Sequence, residues 1–215
     1  METPERIRQQ RIVGGNLALD LINTQNGPAG EAPEEDVLDD YADLVAWSQH
    51  VADLEPSQAD RLLREARRHP VAARDVFHRI QATRAYLYDL FDAIARDTPA
   101  PAEAIRRLER DEAEALAHGR LVDADGRYRW SWDDGELDLV RPLWTVVHSA
   151  STLLTGGPLD RVKGCASCRF HFLDESKNRS RRWCSMEDCG KESKMRRYVA
   201  WRASRRDMSH TERPD

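Results

Sequence analysis

The sequence predicts a mainly α-helical fold with a small β-hairpin, followed by a treble-clef-like zinc finger, so that the chain is α+β overall. Three observations lead to this prediction. Apolar residues recur at helical spacing over most of the first 158 residues. One segment instead alternates with a period of two around an Asp-Gly turn, and all four cysteines lie in the last quarter of the 215 residues.

The helical part begins with residues 16–23, a short apolar element that fits a helix or a strand by pattern alone. Later segments have clearer helical periods, and Pro56 and Pro70 mark boundaries between them. Helices are predicted over residues 40–51, 56–69, 71–97 and 102–117.

Residues 120–132 have the alternation of a β-hairpin, with Asp125-Gly126 as its turn. Asp133, Asp134 and Asp138 are candidate caps for a final helix, which admits Pro142 only in its first turn. The run from Thr155 to Pro158 ends this helix.

The net charge of −5 hides an uneven distribution. Residues 1–160 carry 18 basic and 30 acidic side chains, a balance of −12, whereas residues 161–215 carry 15 and 8, a balance of +7. Such asymmetry suggests two parts with different partners. We therefore expect a helical domain over 1–158, a zinc finger over 159–207 and a disordered tail over 208–215.

The cysteines have the spacing C-x2-C, fifteen residues, then C-x4-C. The N-terminus lacks a signal segment and no stretch has about 18 apolar residues, so we expect a cytoplasmic protein with reduced thiols and no membrane partner. Four thiolates at this spacing are typical of one structural zinc ion; a mononuclear iron site or a redox switch that releases zinc are the alternatives. The predicted ligands are Cys165, Cys168, Cys184 and Cys189, with His171 as a surface or packing residue.

The helical part shows no nucleophile motif and no recognisable pair of catalytic carboxylates. Its isolated histidines, such as His78, His118 and His148, are more typical of packed or exposed residues than of catalysts. We do not expect an enzyme. A pocket for a small-molecule or protein signal, and a homodimer, are left open.

After the first cysteine pair, the pattern predicts a hairpin with strands near 169–172 and 179–184, then a helix over 191–206. A unit this small has no hydrophobic core of its own. Metal binding would therefore supply most of its folding free energy, on the order of 10 kcal/mol. Met195 and Val199 are predicted to face the hairpin and the body.

Basic residues flank the predicted metal site on both sides. A basic helix on a rigid zinc fold suits insertion in a DNA groove. The alternatives are a solvated basic face or a face that docks on the acidic body. The candidate nucleic-acid-binding residues are Arg179, Arg181 and Arg182 on the second strand, and Lys191, Lys194, Arg197, Arg202 and Arg205 on the helix.

The finger segment resembles a known family. The residues that carry the resemblance are Cys165-x2-Cys168-x3-Phe172-x-Asp174-x-Ser176-x-Asn178 and Arg181-Arg182-Trp183-Cys184-Ser185-Met186-x2-Cys189-Gly190. They look like the CGNR-type zinc finger, and the run Gly15 to Thr24 is similar to the start of the ABATE domain that precedes this finger in stress-induced transcription regulators of bacteria. The resemblance implies a zinc-binding regulator that binds DNA, located in the cytoplasm at the nucleoid; a protein-interaction or RNA-binding module is the alternative.

The chain departs from the family at one point. The name-giving Cys-Gly-Asn-Arg here reads Cys189-Gly190-Lys191-Glu192. A contact with DNA through Asn or Arg would be lost, Lys191 would retain one positive charge, and Glu192 would repel a nearby phosphate. Zinc binding should be unaffected.

Overall fold

The computed structural model describes residues 3–132 and 138–210, and for residues 203–210 the backbone alone. Asp133 and Asp134, predicted as caps, lie outside the described residues. The helices are α1 (Glu5–Arg8), α2 (Leu17–Ile22), α3 (Tyr41–His50), α4 (Pro56–Arg68), α5 (Pro70–Ala95), α6 (Ala102–His118), α7 (Arg141–Gly156) and α8 (Lys191–His210), with a 3-10 turn at Leu159–Arg161 and a π-helix at Met186–Gly190.

The short element at the start of the body is a helix, α2, at the centre of the fold. Asn16 caps it, because its side chain accepts a hydrogen bond of 3.0 Å from the amide of Ala18. Every residue from Ala18 to Ile22 is buried, since α2 packs against α5, α7 and the finger. A helix that is covered on all sides has no polar face, which is why its apolar pattern did not distinguish helix from strand.

Helices α3 to α7 are found where the sequence predicts them, with ends shifted by a few residues, whereas α1 was not predicted. Asp40 caps α3. Asp138 does not cap α7 as predicted, because it accepts a hydrogen bond of 2.9 Å from the amide of Val140, which is itself the N-cap residue and provides no side-chain cap. Pro70 separates α4 from α5 by opening the second helix. No helix in the described part of the chain is both long and apolar enough to cross a membrane.

Within residues 3–132 and 138–210, the strands form three antiparallel pairs. In the predicted hairpin, Leu121 lies opposite Trp130 and the turn is at Asp125-Gly126. Trp132 follows it and is held in the body core by donating its indole N–H to the carbonyl oxygen of Ala115 at 2.7 Å. The pairs are β1 (Gln25–Asn26) with β2 (Glu35–Asp36), β3 (Arg120–Ala124) with β4 (Arg127–Ser131), and β5 (Val162–Gly164) with β6 (His171–Leu173).

The hairpin of the finger lies elsewhere than predicted. The expected second strand, residues 179–184, is irregular, and Arg179, Arg181 and Arg182 are therefore loop residues. Instead β5 pairs with β6 and encloses the first cysteine pair, with Gly164 opposite His171. Residues 174–185 form no strand, and the amides of Ser176, Ser180 and Arg181 in this segment donate to side chains instead.

The finger packs against the body through both hydrogen bonds and apolar contacts. Asn23, fully buried at the end of α2, donates to the carbonyl oxygen of His171 and accepts from its amide, both at 2.8 Å. The amide of Leu173 donates to the carbonyl oxygen of Gly14 at 2.9 Å. Val162 belongs to the main core of the body. The first strands of the finger thus complete the body.

The buried carboxylate of Asp20 makes the stability of the packing around α2 depend on pH. Its carboxylate is buried and accepts a hydrogen bond of 2.8 Å from the amide of Gly14. Burial raises the pKa of Asp20 to about 6, although hydrogen bonds from the backbone of Gly14 and Val13 oppose the rise. Because an unfolded chain titrates near 4, the folded state binds more protons between about pH 4 and 6, and the resulting stabilisation is lost as the pH rises through that window.

We therefore expect the wild type to lose about 2 kcal/mol more unfolding free energy than Asp20→Asn between pH 4.5 and 7. Urea denaturation at several pH values measures this difference. Asp60→Asn, at an exposed position, is the matched control and should follow the wild type. Parallel curves for all three proteins would show that Asp20 does not titrate in this range.

Candidate functional site

The four cysteines converge on one point. Their Sγ atoms all lie within 4.8 Å of one another, with 3.6 Å between Cys168 and Cys184 and 3.7 Å between Cys184 and Cys189. Tetrahedral Zn–S bonds of about 2.3 Å place sulfurs about 3.8 Å apart. The donor set fits one structural zinc ion and has no open position for a substrate.

Backbone geometry directs the first two thiols. Cys165 and Cys168 lie in the turn between β5 and β6, where the amide of Cys165 donates to the carbonyl oxygen of Phe170 at 2.8 Å. The amide of Ser167 approaches the Cys165 sulfur at 3.5 Å. Such amide donors stabilise a thiolate and orient it towards a metal.

The second pair comes from the start of the C-terminal helices. Cys184 ends the irregular segment and Cys189 lies in the π-helix, which continues directly into α8. Ser185 caps the π-helix, accepting from the amide of Asp188 at 3.3 Å. The four residues between these cysteines are therefore the cap, Ser185, and the first residues of the π-helix.

Protonation of the cluster opposes metal binding. Hydrogen bonds from Cys168 and Cys184 lower the pKa of Cys165, whereas the contact with the Cys165 thiolate raises the pKa of Cys168 to about 12 and also raises the pKa of Cys184. Burial is the main cause that raises the pKa of Cys189. Zinc must displace the protons of the remaining thiols, so that its affinity falls as the pH falls.

Asp174 organises the irregular segment between the two cysteine pairs. It is fully buried and accepts from the amide and hydroxyl of Ser176 at 3.0 and 2.6 Å, from the amide of Arg181 at 3.0 Å and from Lys163 at 2.6 Å. Burial alone would raise the pKa of Asp174, but these donors outweigh it and hold the pKa well below its usual range. The ionised carboxylate thus replaces the missing strand pairing.

Arg181, a predicted nucleic-acid-binding residue, instead supports the zinc loop. Its guanidinium donates to the carbonyl oxygen of Trp183 at 3.0 Å and to that of Cys184, and it lies 4.2 Å from the ring centre of Phe172. Arg179 pairs with Asp160 at the surface. Arg182 is exposed, 5.1 Å from the ring of Trp183.

His171 is a packing residue, as predicted, and is not among the clustered ligands. It is 2 % exposed, packs edge-on against Tyr88 at 5.2 Å, and its Nε2 lies 3.3 Å from Asp92 of α5. Burial lowers the pKa of His171, although Asp92 opposes the shift. A neutral imidazole therefore lies at the contact between finger and body.

The predicted basic helix exists and extends to His210, so residues 208–210 of the expected tail are helical, and residues 211–215 lie outside the described residues. Its principal contacts are with the π-helix that precedes it, and every residue from Lys194 to Arg202 is exposed. The side chains that the prediction assigned to nucleic acid are accessible here at Lys191, Lys194, Arg197 and Arg202, whereas only the backbone of Arg205 is described.

The prediction that Met195 and Val199 face the hairpin and body is wrong. They are 56 % and 59 % exposed, because α8 projects away from the body instead of lying along it. Tyr198 and Trp201 are similarly exposed, at 52 % and 51 %.

Two residues that join the units were missed from the sequence. Arg11 donates to Ser185 Oγ at 2.6 Å and pairs with Asp188 and with Glu187. Asn23 forms the paired hydrogen bonds to His171. The signal that could have identified Asn23 is a polar residue directly after the apolar run that ends at Ile22.

A cysteine variant tests both the metal site and the packing of the two units. Cys189→Ser should lose zinc, and because Val162 and Leu173 pack in the body core, the midpoint of body unfolding should fall by roughly 5 °C or more. Elemental analysis and thermal denaturation measure these effects, with Ser167→Ala as the control. A full zinc equivalent would refute the ligand assignment, and an unchanged midpoint would refute the coupling.

A second variant isolates the charge of Asp174. Asp174→Asn keeps the shape but removes the acceptor charge for Lys163 and Arg181, so zinc affinity should fall by about tenfold. Competition with a chromophoric chelator measures this affinity. Glu175→Gln removes the same charge from the exposed neighbour and should leave the affinity unchanged; equal effects of the two variants would contradict a specific role for Asp174.

Comparisons with known proteins agree with this architecture. The family model ABATE, described as "Putative stress-induced transcription regulator", matches residues 15–157, about two thirds of the chain. The CGNR zinc finger model matches residues 161–202. No curated protein matches the chain. The chain therefore belongs to the ABATE family, and its C-terminal unit is a CGNR zinc finger.

Proposed function

We propose that this protein is a transcription regulator that binds DNA through its zinc finger and the basic helix α8. The observation that carries the proposal is that α8 projects from the zinc site with every side of its segment 194–202 in solvent. An isolated polar helix gains little stability from its own sequence, so a helix held out in this way is suited to a partner.

The charge of α8 indicates what that partner is. Residues 191–210 contain seven basic and two acidic side chains. The body carries the opposite charge, so it would be repelled by the phosphates and would leave the finger as the part directed towards DNA. A helix of 20 residues is about 30 Å long and about 10–12 Å across, which suits a major groove about 12 Å wide.

The proposed DNA-contacting residues are those that the fold leaves accessible. Lys191, Lys194, Arg197 and Arg202 lie on α8, and Arg182 lies beside the second cysteine pair. Arg181 has its guanidinium bound within the finger and would act indirectly, by fixing the zinc loop.

Zinc would set the position of α8, and the body would control it. The four thiolates hold the start of the helix, and the contacts of Asn23 and Arg11 transmit any change in the body to the finger. A stress-related signal, from a small molecule, a protein or a second subunit, would act on the body. The protein would be cytoplasmic and associated with the nucleoid.

Removal of three charges from α8 tests the proposal. The triple variant Lys194→Gln, Arg197→Gln, Arg202→Gln should bind mixed-sequence DNA at least about tenfold more weakly than the wild type, with a salt dependence shallower by about 2 to 3 in log–log slope. Fluorescence anisotropy with labelled DNA at several salt concentrations gives both numbers.

The control removes the same charge from the exposed surface of the body, as Arg64→Gln, Arg67→Gln and Arg74→Gln. It should bind DNA as the wild type does. An equal loss in both variants, or wild-type binding that does not respond to salt, would show that α8 is not the contact surface.

A further inference from the structure

Helix α8 also carries two aromatic side chains that are not among the proposed DNA-contacting residues. Tyr198 and Trp201 are both about half exposed, with ring centres 6.0 Å apart and planes inclined by 30°. The guanidinium carbon of Arg202 lies 5.9 Å from the centre of the Tyr198 ring. Single exposed rings are common on protein surfaces, but a group of exposed rings and apolar side chains on one helix marks an interaction surface.

Charge argues against a second copy of the helix as the occupant of this surface. Two α8 helices that packed together would bring seven basic side chains from each chain against one another, with two acidic ones on each. The like charges would oppose the association.

The arrangement of the apolar side chains argues against a lipid surface. Helical geometry places Trp201 roughly 120° around the axis from Met195. The arc between them that holds Tyr198 also carries Lys194 and Arg202, so the apolar residues do not form the single broad face that a membrane-bound helix needs.

A nucleic acid strand satisfies both the charge and the aromatic surface. Phosphates would pair with the basic side chains, while the faces of bases can stack on aromatic rings at about 1–3 kcal/mol each. In a closed duplex those faces are covered by neighbouring base pairs. Unpaired bases are therefore the groups that complement Tyr198 and Trp201.

We propose that Tyr198 and Trp201 form a platform for unpaired bases, so that α8 binds a single-stranded segment of nucleic acid more tightly than the closed duplex. This inference rests on the proposed function of α8 in nucleic-acid binding, and it adds which form of the strand the helix prefers.

The test uses the full zinc-loaded chain and three labelled 20-mers of one mixed sequence: single-stranded DNA, the same strand in a duplex, and the single-stranded RNA. We expect single-stranded DNA to bind more tightly than the duplex. The double variant Tyr198→Leu, Trp201→Leu should weaken single-strand binding by about fivefold or more for each ring that stacks, and should change duplex binding by less than about twofold.

Two controls separate stacking from structure. Tyr198→Phe, Trp201→Phe retains both rings and should retain the affinity for the single strand. Leucine favours helix, so circular dichroism and zinc content of the double leucine variant should equal those of the wild type. The RNA arm shows whether the platform distinguishes the sugar, and stacking predicts similar effects of the substitutions on both strands.

The outcomes distinguish this inference from the proposed function. If the duplex binds as tightly as the single strand, or if the leucine variant loses both equally, the base platform is wrong and DNA binding by α8 stands. If the wild type binds none of the three at low salt, the proposed function fails and the platform fails with it.

Discussion

The fold of the finger depends on four thiolates that share one zinc ion. Apart from two cysteines, its own buried cluster contains only Phe172, which is far too little apolar surface to offset the ordering of some thirty residues. Zinc binding, worth on the order of 10 kcal/mol or more, supplies what the core lacks. The direction of α8 follows from the same interaction, because Cys189 lies in the helical turn from which α8 starts.

The second support of the finger is the body. Asn23 pairs with both backbone groups of His171, and Leu173 of the same strand donates to the carbonyl oxygen of Gly14. The two hydrogen bonds of Asn23 are buried, so breaking either one leaves a polar group without water. The family's conspicuous run from Gly15 to Thr24 can be understood in these terms: Asn16 caps the helix and Asn23 fastens the finger. Buried hydrogen bonds thus join the body to the finger next to the zinc site.

Features of the fold that depend on residues close together in the chain could be predicted from the sequence, and features that depend on distant contacts could not. The ligands could be predicted because Cys165 to Cys189 are close in the chain and their chemistry is specific. Body helices could be predicted because the apolar period extends over many turns. Strands of three residues, such as β5 and β6, have too little period to detect. Met195 and Val199 were misplaced because a helical pattern shows which residues share a face, and whether any other part of the fold covers that face is a property of the tertiary structure.

Lys191-Glu192, which stand where the name-giving motif has Asn-Arg, are the first two residues of α8. An asparagine at 191 would not cap α8, because the helix continues from the π-helix and Ser185 provides the cap one turn earlier. Lys191 and Glu192 are both exposed at the base of the projecting helix, and neither belongs to the cysteine cluster. Glu192 lies 3.8 Å from Arg196, so part of its charge is compensated within the helix. We therefore expect the substitution to affect what α8 contacts and to leave the four zinc ligands in place.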